Sequence, residues 1–162
     1  LIAKACYDTL RKYGKAAITA CENNVVTPAL DAIIEATVYL SGVGADNVNC
    51  AAPHSFYNGV TSLGGHEAYH GNCVAFGTLI QLTLECADKA EFEDIQNFCL
   101  EVGLPITLAE LGDFTDEDLH TIAKNACVKG ETIHNLAGDV TPDELYAAII
   151  ATDALGKARL GK

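Results

Sequence analysis

At 162 residues the chain can bury a core as one domain or as two small ones. Hydrophobic residues make up 49% of it and charged residues 20%, as in a water-soluble globular protein, and no stretch approaches the roughly 20 uninterrupted apolar residues of a membrane span. The formal charge of −12 repels phosphate backbones and anionic lipid, which argues against nucleic acid and membrane surfaces as partners.

The chain opens directly in a helix pattern, with Lys4 inside the apolar run, which is not the layout of a signal peptide. Thr27 and Pro28 then form a helix start, and Leu30, Ile33, Ile34 and Val38 follow as one apolar stripe ending near Gly42. Residues 42–51 and 63–69 are the longest irregular candidates, and each leads into a histidine-bearing segment. The run from Val74 to Cys86 is apolar on nearly every face; pattern alone allows a buried strand pair, but its length and its Ala, Leu and Gln content favour a central helix. Phe92, Ile95, Phe98, Cys99 and Val102 mark a further helix, closed by Gly103. Thr115 and the acidic residues after it open another, with Leu119, Ile122, Ala123 and Ala126 facing inward and a stop at Gly130. Thr141, Pro142 and Glu144 spell a capping box, after which Leu145, Ala148, Ile149, Thr152 and Leu155 recur at helical spacing. The expected fold is all-α, a helical bundle in which residues 1–162 form a single domain.

The seven cysteines lie at least 13 residues apart, unlike the close pairs of a zinc ribbon or redox motif, and read as free thiols of a reducing, cytoplasmic setting. The sequence has no methionine, even at position 1, which is expected of a processed chain or a fragment.

Five histidines are present, and three of them, His54, His66 and His70, fall within 17 residues, a cluster that raises the question of a metal. His66, Glu67 and His70 fit the zincin pattern H-E-x-x-H, in which a glutamate between two histidines on one helix activates water on zinc, with Glu85 downstream as an optional third ligand. Gly64, Gly65 and Gly71 crowd those five residues, at about 1 kcal/mol each in a helix interior, and argue against that helix. A zinc metallopeptidase, or a non-catalytic helical module, remains the alternative reading. His66 otherwise reads as an exposed loop residue, and His120 and His134 as polar helix or cap residues. Asp46 reads as a turn residue, and the acidic cluster from Asp113 to Asp118 as a helix start.

The segment from His70 to Glu85, in which a His-Gly pair opens the buried helix Val74-Ala-Phe-Gly-Thr-Leu-Ile-Gln-Leu-Thr-Leu-Glu85, resembles the glycerol dehydrogenases of the iron-containing alcohol dehydrogenase superfamily. Ala51-Ala-Pro-His54-Ser-Phe-Tyr-Asn58-Gly59 is similar to that family's A-A-x-H-x-x-x-N-G stretch, allowing a one-residue shift. Further similar pieces run in order from Cys6 to Ile149, so the resemblance covers nearly the whole chain but only the family's C-terminal half.

The resemblance implies the helical, metal-binding domain of a dehydroquinate synthase-like fold. It implies one zinc held by two histidines, carried over to His54 and His70, which also form the substrate end of the site, and by an aspartate in a segment before Leu1. The NAD-binding domain is likewise expected upstream of Leu1; the nearest glycine-rich piece here, Gly42-Val-Gly44, lacks a phosphate-loop continuation and reads as a turn. The reaction implied is oxidation of glycerol, or a similar small vicinal diol, to the hydroxyketone by hydride transfer to NAD, in a cytoplasmic homo-oligomer. This chain alone is expected to be inactive, with no catalytic or NAD-binding residue of its own. Two positions depart from the family pattern. Ala45-Asp46 stands where many members carry an aromatic residue, and Tyr57 stands where many carry a further histidine.

Overall fold

The computed structural model describes residues 1–47, 49–65 and 68–161, apart from the side chains of residues 45–47. Every regular element among the described residues is helical, as the capping and spacing signals predict. The chain divides into two compact units, Leu1–Asn49 and Cys50–Lys162.

In the first unit, α1 (Ile2–Glu22) buries a small-residue stripe of Gly14, Ala17 and Ala20. Asn24, in the left-handed region at φ 53°, turns the chain after it. The Thr27 hydroxyl accepts from the Leu30 N–H and Pro28 takes a first-turn position, so α2 (Pro28–Glu35) starts where the sequence says. Its end differs from expectation. The backbone runs through a π-turn, Ala36–Leu40, in which the Ser41 N–H donates to the Ala36 carbonyl, and straight on into α3 (Ser41–Asn47). Gly42 and Gly44 are therefore helical, not a turn. The stripe also fails in part: Ala36 is fully buried, while Ile34 and Val38 are 51% and 75% exposed. Ile34 lies about 100° round from Ile33, and the wide turn then breaks the single 3.6-residue period the stripe assumed.

In the second unit, α4 (Ala52–Thr61), α5 (His70–Leu84), α6 (Lys89–Glu101), α7 (Asp116–Ala126) and α8 (Pro142–Leu160) enclose a core of Phe56, Val60, Phe76, Ile80, Ile122, Ile133, Leu145 and Ile149. A smaller cluster of Leu79, Cys99 and Ile106 lies between α5 and α6. Gly103 at φ 74° closes α6 as expected. Thr115 with Asp118, and Thr141 with Glu144, form full capping boxes on α7 and α8. α7 stops at Ala126, short of Gly130, and the His134 ring nitrogen Nε2 lies 3.2 Å from the carbonyls of Cys127 and Val128 just beyond that end. On α8, Leu155 points outward, 48% exposed, because the packed position beside it belongs to Gly156, which lies directly against the Ile106 carbonyl. All seven cysteines are free thiols; Cys73 and Cys99 are buried, and burial raises the Cys73 pKa.

Candidate metal centre

The first turn of α4 places His54. Ala51 is the N-cap and Pro53 sits within the first turn, where its missing N–H costs nothing. The buried Ser55 hydroxyl accepts from the Ile133 N–H at 2.7 Å and shares a 3.0 Å hydrogen bond with Thr132. Thr132 also donates to the Ala51 carbonyl at 2.9 Å, and the Asn135 amide donates to the Cys50 carbonyl at 2.7 Å. The 3₁₀ turn Thr132–Asn135 thereby lashes down the start of α4.

The first turn of α5 places His70. Tyr69, with extended backbone at φ −62° and ψ 137°, is its N-cap, so the helix begins at His70 itself. The two helices cross closely because Gly77 has no side chain: a Cβ there would stand 2.7 Å from the Pro53 Cα and 3.0 Å from its carbonyl oxygen. Phe56 and Phe76 pack alongside, ring centroids 5.7 Å apart.

The crossing brings His54 and His70, 16 positions apart in sequence, to a ring-centroid separation of 5.3 Å, tilted by 58°. Tyr57, one turn beyond His54, sets its ring edge-to-face with His70 at 4.4 Å. Burial lowers the pKa of His54, and the neighbouring His70 charge lowers it further, so His54 stays neutral below the ordinary imidazole value of 6.5. A neutral imidazole is the form that ligates a metal. Two rings bound to one tetrahedral zinc, with Zn–N bonds near 2.0–2.1 Å, have centroids about 5 Å apart, close to the separation of this pair. Among the described residues no third His, Cys, Asp or Glu joins them.

The other candidates fall elsewhere. His66 and Glu67 lie outside the described residues, as does the Asp46 side chain. The helix a zincin site would require begins only at His70, and Glu85 caps its opposite end, accepting from Gln81 at 2.9 Å. His120 stacks flat on Tyr146 at 4.0 Å, beside a 2.5 Å hydrogen bond from the Tyr146 hydroxyl to Asp116. Sequence reasoning treated Tyr57 only as a departure and did not foresee its contact with His70. It also missed the Gly77–Pro53 crossing, whose one sequence signal was a glycine inside a helix apolar all round.

No protein-family model matches the chain. Its fold is that of part of a dehydrogenase. It superposes with a TM-score of 0.92 and 40% identity on the crystal structure of a probable glycerol dehydrogenase from Sinorhizobium meliloti 1021, covering 97% of this chain and 45% of that one. For glycerol dehydrogenase from Schizosaccharomyces pombe the TM-score is 0.91 at 36% identity. Curated relatives include a glycerol dehydrogenase of Pseudomonas putida, 47% identical over 160 residues, and a glycolaldehyde reductase of Halobacterium salinarum, 43% identical over 159. The chain belongs to the glycerol dehydrogenase family. It covers 96% of itself but only 44% of the length of each of those two relatives.

Proposed function

We propose that this chain is the C-terminal, metal- and substrate-binding part of an NAD-dependent glycerol dehydrogenase, with His54 and His70 as two of the three protein ligands of a zinc ion. The observation that carries this is the meeting of two histidines from different helices at the ring spacing of a shared tetrahedral ion. When bound, such an ion supplies Lewis acidity that makes a substrate hydroxyl easier to deprotonate. His54 contributes a neutral ring nitrogen on a helix start pinned by Ser55, Thr132 and Asn135. Tyr57 holds the His70 ring from its edge, so the second donor keeps its direction.

The third ligand, an aspartate, and the nucleotide site are contributed by residues outside this sequence, in a cytoplasmic homo-oligomer. The substrate is a small polyol, glycerol or another short vicinal diol, taken to the hydroxyketone. Relatives named for glycerol and for glycolaldehyde share adjacent-oxygen chemistry, which supports that class. The isolated chain is inactive in this reading.

The test is zinc-edge anomalous diffraction from zinc-soaked crystals, with calorimetric titration of the chain and of His54→Ala and His70→Ala. Zinc on both rings, with each substitution weakening binding about tenfold or more, is the expected result. Zinc bound elsewhere, or held equally well by both variants, refutes the assignment.

A further inference from the structure

His54 stands between two neighbours on its own helix. At about 100° per residue, Tyr57 lies roughly 60° to one side of it, toward His70, and Asn58 roughly 40° to the other. Tyr57 already touches the histidine pair. Asn58 is tied elsewhere: its Nδ2 donates to Glu131 Oε2 at 2.9 Å, a bond between residues 73 positions apart. Glu131 is held in place by the residues after it, since Thr132 donates to the Ala51 carbonyl and the Ile133 N–H donates to Ser55. A carboxylate only accepts hydrogen bonds, so it takes the NH2 end of the Asn58 amide and leaves Oδ1 at the opposite end.

Positions four apart on a helix have Cβ atoms about 5–6 Å apart, and side chains lean toward the helix N-terminus. Asn58 therefore leans over the turn that carries His54. Among the described residues neither the Asn58 Oδ1 nor the His54 ring has a hydrogen-bond partner. An acceptor and a ring N–H thus stand one turn apart, each unused. A ligating imidazole gives one nitrogen to the metal and carries its proton on the other. An acceptor for that N–H fixes the tautomer, holds the ring plane and makes the ligating nitrogen more basic.

We propose that Asn58 is a positioning residue of the metal centre: with metal bound, its Oδ1 accepts from the ring N–H of His54, and Glu131 sets that direction by holding the Nδ2 end. The proposal rests on the reading of His54 and His70 as ligands and adds the residues that aim one of them. The same helix then supports both rings, Tyr57 against His70 and Asn58 against His54.

The test is zinc titration calorimetry and nitrogen NMR of ring-labelled histidine on the 162-residue chain. Asn58→Leu should weaken zinc about tenfold or more. The loaded His54 ring, a single tautomer in the wild type, should then lose the protection of its N–H against exchange with water. Asn58 is exposed, so the urea midpoint should hardly move. Glu131→Ala, which frees the amide to turn, should weaken zinc by a smaller factor. Asn58→Asp combined with Glu131→Gln reverses donor and acceptor in their bond and keeps an oxygen toward His54, and it should restore the affinity. Wild-type zinc affinity in Asn58→Leu, beside a loss in His54→Ala, overturns the proposal and leaves the ligand pair standing. A loss in Asn58→Leu that comes with a lowered urea midpoint and is not restored by the double variant also overturns it, because the effect is then on the fold. Wild-type affinity in His54→Ala removes the ligand reading itself, and this inference with it.

Discussion

Replacing Gly77 by Ala tests the crossing on which the histidine pair depends. In an ordinary helix the change stabilises, by up to about 1 kcal/mol, because alanine forms helix better than glycine. Here the new Cβ would meet the Pro53 Cα at 2.7 Å, whereas carbon atoms in contact normally lie about 3.5–4.0 Å apart. The obstacle is backbone, so no side-chain rotation relieves it, and α4 and α5 must part by about 1 Å. Overpacking of this kind costs about 1–3 kcal/mol, and with an unyielding neighbour the upper half of that range applies. After the propensity gain, Gly77→Ala should destabilise by about 1–2 kcal/mol, a fall of roughly 3–6 °C in Tm for a chain of this size. Gly71→Ala is the internal control, since nothing lies within 4 Å of its added Cβ on the same helix, and it should be neutral or stabilising. Urea unfolding followed by circular dichroism measures both, and proton NMR contacts between the His54 and His70 rings should weaken only in Gly77→Ala. A Gly77→Ala protein as stable as Gly71→Ala, with ring contacts intact, would show that the helices do not cross at Gly77 and Pro53.

Other consequences are as direct. His54 has a folded pKa below its unfolded value, so its contribution to stability is present above about pH 6.5 and is lost as pH falls toward the folded value. His54→Leu should therefore flatten the dependence of Tm on pH below 6.5, and an unchanged slope would refute the shift. Thr141→Ala removes the hydroxyl that accepts from the Glu144 N–H and should cost about 1 kcal/mol in urea unfolding. Asp153, buried, accepts from the Leu108 N–H at 2.8 Å and pairs with Lys157 at 2.6 Å. Asp153→Ala should cost about 1–3 kcal/mol by orphaning that N–H, and Lys157→Met, at the half-exposed end of the pair, less than about 1 kcal/mol. Equal losses in the two variants would place the energy in the ion pair instead of the backbone bond.

What could be read from the sequence was what local chemistry decides. Thr27, Thr115 and Thr141 announce helix starts because their hydroxyls bond to backbone three residues away, and Gly103 announces an end because the left-handed turn there suits glycine. Helical spacing alone does not say that Gly156, and not Leu155 beside it, takes the packed position against Ile106. Three clustered histidines raised a metal question without saying which two would meet. Periodicity could not answer it, because His54 and His70 belong to different helices whose crossing is set by Gly77. The family resemblance singled out the pair, and the geometry brings the two rings together.

The π-turn at Ala36–Leu40 has a consequence for how this chain and its relatives vary in length. A π-turn holds one residue more than an α-turn, so it is where a single-residue insertion or deletion is absorbed without breaking a helix. Removing one residue there would restore regular hydrogen bonding but rotate Ser41–Asn47 by about 100° relative to α2. Gly44, buried and with room for a Cβ only 3.7 Å from the Ile2 side chain, would leave its place against α1. Sequences that keep the wide turn should keep the extra residue, and those one residue shorter at this point should carry compensating changes at positions 2 and 44.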